Sequence, residues 1–108
     1  MKRPIAMFTG TGHAAPVRVM TNDDFVAIGI ETSDEWITSR TGIKERHVLE
    51  EGKGNADMAY EAAKRALDDA KVDPKDLDAI IMGTVSSDYP FPSSACVLEE
   101  KLGARHAF

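Results

Sequence analysis

Few side chains in this sequence are placed to do chemistry, and each has a plain structural alternative. Cys96 is the only cysteine. It follows Ser93 and Ser94, which puts it in the first turn of a predicted helix, where the dipole lowers a thiol pKa. A nucleophile also needs a base and an activating environment. A free cysteine is more often a small buried hydrophobe, and that structural reading is preferred. Trp36 is the only tryptophan, and Arg40 follows one helical turn later. An aromatic plane beside a guanidinium can stack on an adenine ring and pair with a phosphate. Thr32, Thr38 and Thr41 add hydroxyls nearby. Spacing alone favours the plainer alternative, a tryptophan packed on a sheet with Arg40 paired to Glu35 or Asp34.

Gly10-x-Gly12-x-x-Ala15 follows a predicted strand and matches a dinucleotide fingerprint, with Glu31 at a plausible later distance. That chemistry requires a helix to begin at the loop and aim its N-terminus at the pyrophosphate. Pro16-Val17-Arg18-Val19 does not supply one, so a glycine loop that lets the strand exit tightly is the better reading. His13, His47 and His106 have no neighbours at metal-ligand spacing, and no metal site is expected.

The 108 residues amount to one domain, or part of a larger one. Apolar residues make up 43% and charged residues 29%, an ordinary globular balance. The net charge of −5 argues against non-specific nucleic-acid binding, which needs clustered cations. A single cysteine excludes an intrachain disulfide and a cysteine-rich zinc site. No apolar run approaches a membrane span, and Lys2 and Arg3 precede only the short apolar stretch from Pro4 to Phe8, too brief for a secretory core. A cytoplasmic protein without nucleic-acid or membrane partners is expected.

The elements that must position these residues follow an α/β order. Ile5–Thr9 reads as a first buried strand, and Leu77–Val85 as a second, apolar on both faces. Thr21-Asn22-Asp23-Asp24 starts a short helix, with Asn22 as its cap. A second helix follows, with Thr32 and Ser33 ahead of Asp34 and Glu35 in a box-like start; it runs to about Arg40 and stops at Gly42. Ile43 to Leu49 is an extended connection. Asn55 to Lys71 is the clearest helix, with a stripe of mainly alanine that permits close approach of a neighbour. Asp73-Pro74-Lys75-Asp76 is a turn. Ser93 to Leu102 is a further helix ending at Gly103, and Arg105 to Phe108 begins another strand. Two strands cannot hold an α/β sheet alone, so the chain reads as part of a larger fold.

The run Thr32-Ser33-Asp34-Glu35-Trp36-Ile37-Thr38-Ser39-Arg40-Thr41-Gly42-Ile43-Lys44-Glu45-Arg46-His47 is specific, and it resembles the T-S-D-E-W-I-x-x-R-T-G-I-x-x-R pattern of the β-ketoacyl-acyl-carrier-protein synthase III family. Gly10-x-Gly12 with Pro16, the segment Asp78 to Thr84, and Phe91-Pro92-Ser93-Ser94-Ala95-Cys96 also resemble family segments. The likeness covers essentially the whole chain, which looks like the amino-terminal third of such an enzyme.

The resemblance implies the amino-terminal part of a thiolase-like fold, an incomplete mixed sheet with flanking helices, forming the opening portion of the first thiolase-like half without a second domain. It implies an acyltransferase of fatty-acid synthesis that condenses an acyl-coenzyme A, typically acetyl-coenzyme A, with malonyl-carrier protein. A cysteine is acylated and then attacked by the carbanion released on decarboxylation, while a His and an Asn stabilise the enolate oxygen. Cys96 matches an earlier, non-nucleophilic cysteine of the family, so no catalytic residue is expected here and the chain alone should be inactive. By resemblance, Trp36 stacks on the coenzyme A adenine, Arg40 contacts its phosphates, and Thr32 and Thr41 line the same mouth. Phe91 matches a residue that crosses the dimer interface and shapes the partner's acyl pocket. The thioester is a substrate, so no cofactor is expected; the partners are acyl-coenzyme A, the acyl carrier protein and a second copy. The alternatives are a non-catalytic self-associating or coenzyme A-binding module of the same fold and, less favoured, a dinucleotide-binding domain. Self-association is expected through apolar surface such as that of Ile80, Ile81 and Phe108.

Overall fold

A computed structural model describes residues 5–108; Lys2, Arg3 and Pro4, on which the secretory-leader argument rests, lie outside the described residues. The chain forms two compact units, one of residues 15–53 and one that joins residues 5–14 to Gly54–Phe108.

In the first unit, strand β1 (Arg18–Thr21) pairs antiparallel with β2 (Glu45–Val48), and helices α1 (Asn22–Ala27) and α2 (Asp34–Thr41) lie between them in sequence. The register sets Met20, the buried position of β1, opposite Arg46, which like Val48 is half-buried in β2. The Arg46 guanidinium lies over the Phe25 ring, 4.5 Å from its centroid, a cation on an aromatic face beside this small sheet. The extended connection expected over Ile43 to Leu49 is therefore a strand. The α1 cap differs from expectation. Thr21, not Asn22, is the N-cap: its hydroxyl accepts from the Asp24 N–H, and the Asp24 carboxylate accepts from the Thr21 N–H. A side chain closes this reciprocal box only from outside the helical backbone, and Asn22 is already helical.

In the second unit, α3 (Asn55–Ala70) packs on α4 (Ser94–Leu102), with a short 3₁₀ turn at Pro74–Asp76 between them. Ala56, Ser94, Leu98 and Ala104 are the buried positions. Lys101 Nζ bridges the helices to Asp57 Oδ1 at 2.8 Å. Gly54 has no side chain to cap α3. Asp88 does this from far along the chain, its carboxylate accepting from the Asn55 N–H and, at 2.8 Å, the Ala56 N–H. The Asp88 N–H in turn donates to Ser94 Oγ at the start of α4.

The alanine stripe of α3 receives the segment at Gly10 and Gly12. A Cβ at Gly10 would stand 2.7 Å from Ala70 Cβ, and one at Gly12 would overlap the Ala62 carbonyl oxygen and the Ala66 nitrogen. Both glycines are thus required by backbone-to-backbone contact with a helix whose own side chains are single methyls.

Two expected strands are not paired among the described residues. Neither Ile5–Thr9 nor Leu77–Val85 forms a strand: Phe8 is 99% exposed, Ile81 is 96% exposed, and Val85 lies in a bend. An apolar run becomes a strand only when a neighbour satisfies its backbone. The exception is instructive: Phe108 N–H donates to Asp78 O, and Ile80 N–H donates to Phe108 O. This pair of bonds around Ala79 is the parallel-ladder pattern, but Phe108 alone makes it: Arg105 and His106, expected to begin the strand, form a turn instead.

Candidate functional site

Helix α2 is short and polar, with no buried residue. Ser33 caps it by accepting the Trp36 N–H at 3.1 Å, and Gly42, at φ 71°, closes it with an N–H to Thr38 O bond. Two side-chain pairs with i, i+4 spacing point in different directions. Trp36 and Arg40 form the outer pair: the Arg40 guanidinium carbon is 4.7 Å from the Trp36 ring centroid, and Trp36 is 54% exposed. Asp34 and Thr38 form the inner pair, joined by a 3.1 Å bond from the Thr38 hydroxyl to Asp34 Oδ1.

The packed-tryptophan alternative is therefore set aside. Trp36 lies open, and Asp34 is engaged by Asn22 and Thr38 rather than by Arg40. The ion pairs among the described residues are Lys53 with Glu50 and Lys101 with Asp57, so neither Glu35 nor Asp34 holds Arg40.

A cleft of about 270 Å³ opens beside Trp36, lined by Glu31, Thr32, Ser33 and Trp36. Thr32 Oγ1 is buried and has no hydrogen-bond partner. An unpaired buried hydroxyl costs free energy, and Thr32 bears that cost in the wall of the cleft, among the described residues. Thr41 stands at the other end of α2, where its hydroxyl donates to Ile37 O at 2.8 Å and accepts from the Ile43 N–H at 3.0 Å. The structure thus places Thr32 and Trp36 at the cleft, with Arg40 stacked on the Trp36 ring one turn on, and gives Thr41 a role in closing the helix.

Beneath α2 lies a residue whose role the sequence did not reveal. Asn22 is only 1% exposed, and its amide donates to Asp34 Oδ1, Thr38 Oγ1 and Ile43 O. Hydrogen bonds from Asn22 and Thr38 hold the Asp34 carboxyl below the usual aspartate range, and the Thr21 hydrogen bonds do the same for Asp24.

In the other unit, Phe91 is 90% exposed in the loop before α4. Cys96 is exposed rather than buried, which corrects the core-thiol reading. Its position at the first turn is as expected, with its N–H donating to Ser93 Oγ and the Ser93 hydroxyl directed at Sγ at 3.2 Å. The burial statistic for free cysteine fails because the neighbouring surface of Ile80, Ile81 and Phe108 forms an open concavity rather than a closed core.

The dinucleotide reading fails on geometry. The Gly10–Gly12 segment is closed off by α3, and the next element is strand β1, not a helix N-terminus. Among the described residues, no three His, Cys, Asp or Glu side chains converge as metal ligands. His47 is used locally, with Nδ1 2.6 Å from Pro16 O. No helix among the described residues is long and apolar enough to cross a membrane.

No family model matches the sequence. Two solved structures place the fold. The 3-oxoacyl-acyl-carrier-protein synthase III of Aquifex aeolicus superposes with a TM-score of 0.80 at 46% identity, over 93% of this chain and 32% of that one. A priming β-ketosynthase from a polyketide biosynthetic pathway gives a TM-score of 0.80 at 31% identity, over 100% of this chain and 33% of that one. The architecture is thus a partial α/β fold of the thiolase-like kind. The β-ketoacyl-acyl-carrier-protein synthase III of Xylella fastidiosa is 52% identical over 103 residues, which is 95% of this chain and 32% of that protein. This chain is a homologue of β-ketoacyl-acyl-carrier-protein synthase III and spans about a third of the length of the curated relatives it matches.

Proposed function

We propose that this chain supplies the coenzyme A-binding mouth of a β-ketoacyl-acyl-carrier-protein synthase III, as the opening portion of its first thiolase-like half. The observation that carries this reading is the exposed Arg40–Trp36 stack beside a cleft whose lining includes Thr32 and Trp36. The indole offers a face to the adenine, the guanidinium offers charge to the phosphates, and Thr32 offers a hydrogen bond. Thr41 serves the same mouth by fixing the end of α2. Phe91, open in its loop, is assigned to the interface and acyl pocket of a homo-oligomer.

The whole enzyme would be a cytoplasmic acyltransferase joining an acyl-coenzyme A to malonyl-carrier protein. These 108 residues supply no nucleophile for it, since Cys96, the only cysteine, matches the family's non-nucleophilic one. Calorimetric titration with coenzyme A tests the mouth. Binding should weaken about tenfold or more in Trp36→Ala, the scale of a lost base–aromatic stack. Equal affinity in wild type and variant would reject it. A condensation assay on the 108-residue chain should give no turnover, and robust turnover would reject the assignment of Cys96.

A second reading has its own support. The exposed Ile81 and Phe108 leave an apolar surface suited to self-association. Sedimentation at high concentration should show oligomers, and a monomer would count against it.

A further inference from the structure

We propose that Asn22 is the positioning residue of the coenzyme A mouth, a polar clasp that fixes α2 so that Trp36 and Arg40 face outward together. The inference deepens the coenzyme A reading and rests on it for its functional half.

A helix of eight residues with no buried side chain has no hydrophobic face to fix its rotation. Something else must do so. The Asn22 amide reaches Asp34 Oδ1 at 2.7 Å in the first turn of α2 and Thr38 Oγ1 at 3.3 Å one turn on. It also reaches Ile43 O at 2.8 Å, past the Gly42 cap. The Asn22 backbone N–H adds a bond to Lys44 O at 3.1 Å. One buried residue therefore holds the start, the middle and the exit of α2.

Asp34 and Thr38 lie two positions before Trp36 and Arg40, respectively. At 100° per residue, two positions turn the helix by about 200°, so clasping one pair sets the other outward. Asn22 is not among the residues that line the cleft, and its side-chain hydrogen bonds go to α2 and to the segment that leaves it. The Asn22 amide is also suited to this task by type. Its nitrogen carries two hydrogens, which serve Asp34 Oδ1 and Ile43 O at the shorter distances with Thr38 Oγ1 sharing one of them; an aspartate there would confront Asp34 with a like charge.

The test uses the full 108-residue chain with two readouts, amide hydrogen exchange and calorimetric coenzyme A binding. Asn22→Ala should speed exchange at the Ile37 and Gly42 amides about tenfold, the scale of a lost bond to a charged group, while α3 amides are unchanged. Emission of Trp36, the sole tryptophan, should shift as its stack with Arg40 loosens. Coenzyme A affinity should fall by about the same factor. The exchanged pair N22D/D34N restores an amide–carboxylate bond between positions 22 and 34 but leaves Ile43 O without its donor, so it should recover part of the losses seen in N22D alone. If N22A does not fold, Thr38→Val decides: it removes one acceptor at constant volume and should loosen α2 severalfold with α3 untouched. Unchanged α2 exchange in the folded variant, or no recovery in the exchanged pair, overturns the inference. Absence of coenzyme A binding in the wild type would reject the proposed function instead, leaving the clasp to be judged by exchange and emission.

Discussion

Arg40 rides on Trp36, its guanidinium carbon 4.7 Å from the ring centroid, one turn later on the same helix. Among the described residues no carboxylate pairs with that guanidinium, so the stack is a contact between a cation and a π-face rather than a salt bridge with an aromatic neighbour.

Arg40→Lys is therefore not conservative. An ammonium keeps the charge but loses the planar stack and the paired donors. The exposed cation–π contact is worth about 0.5–1 kcal/mol, so coenzyme A affinity should fall severalfold even though the charge is retained. Calorimetric titration of R40K beside R40A separates the two contributions.

Gly12→Ala should destabilise the chain by about 1–3 kcal/mol, as overpacking does when backbone must move. The new methyl would meet the Ala62 carbonyl oxygen and the Ala66 nitrogen, neither of which can rotate away. Thermal unfolding should show the loss, and an unchanged midpoint would mean that the segment does not lie against α3 in solution.

Lys71→Gly should act in the other direction. Lys71 ends α3 at φ 56°, a left-handed conformation that costs a side-chain-bearing residue free energy. Replacing it with glycine should stabilise the chain by about 0.5–1 kcal/mol, measurable by denaturant titration.

Acid should destabilise the first unit through two hydrogen-bonded carboxylates, Asp24 in the α1 capping box and Asp34 under the Asn22 amide. Asp24 and Asp34 both titrate below the ordinary aspartate value of 3.8 in the folded state. Groups with depressed folded values contribute stability that is present above the unfolded value and lost as pH falls through the folded one. Stability should thus decline below about pH 4. Asp34→Asn should flatten that decline, as read by circular dichroism across an acid titration.

Much of this arrangement was legible in residue order. The Ser33 start and Gly42 stop of α2, the alanine stripe of α3 and the Gly103 end of α4 are local codes, read from capping chemistry and helical spacing. The Trp36–Arg40 face followed from their one-turn spacing, although spacing alone pointed to a packed indole. What escaped was set by contacts distant in sequence. Asn22 looks like a cap because it sits among Thr and Asp, and only its burial beneath α2 reveals the clasp. Ile5–Thr9 and Leu77–Val85 carry strand composition, but pairing is a property of two segments, and no single run encodes its neighbour. The glycines at 10 and 12 imitate a nucleotide loop because close approach to a phosphate and close approach to a helix make the same demand, the absence of a Cβ.

The Asp88 cap ties the history of α3 to the order of synthesis. The carboxylate that satisfies the first free amides of this helix lies 33 residues downstream of Asn55. On a ribosome, the helix sequence emerges well before the group that closes its end. Its opening turn must wait frayed through that interval, and the arrival of Asp88 and Ser94 would close it and bring α4 alongside in a single cooperative event.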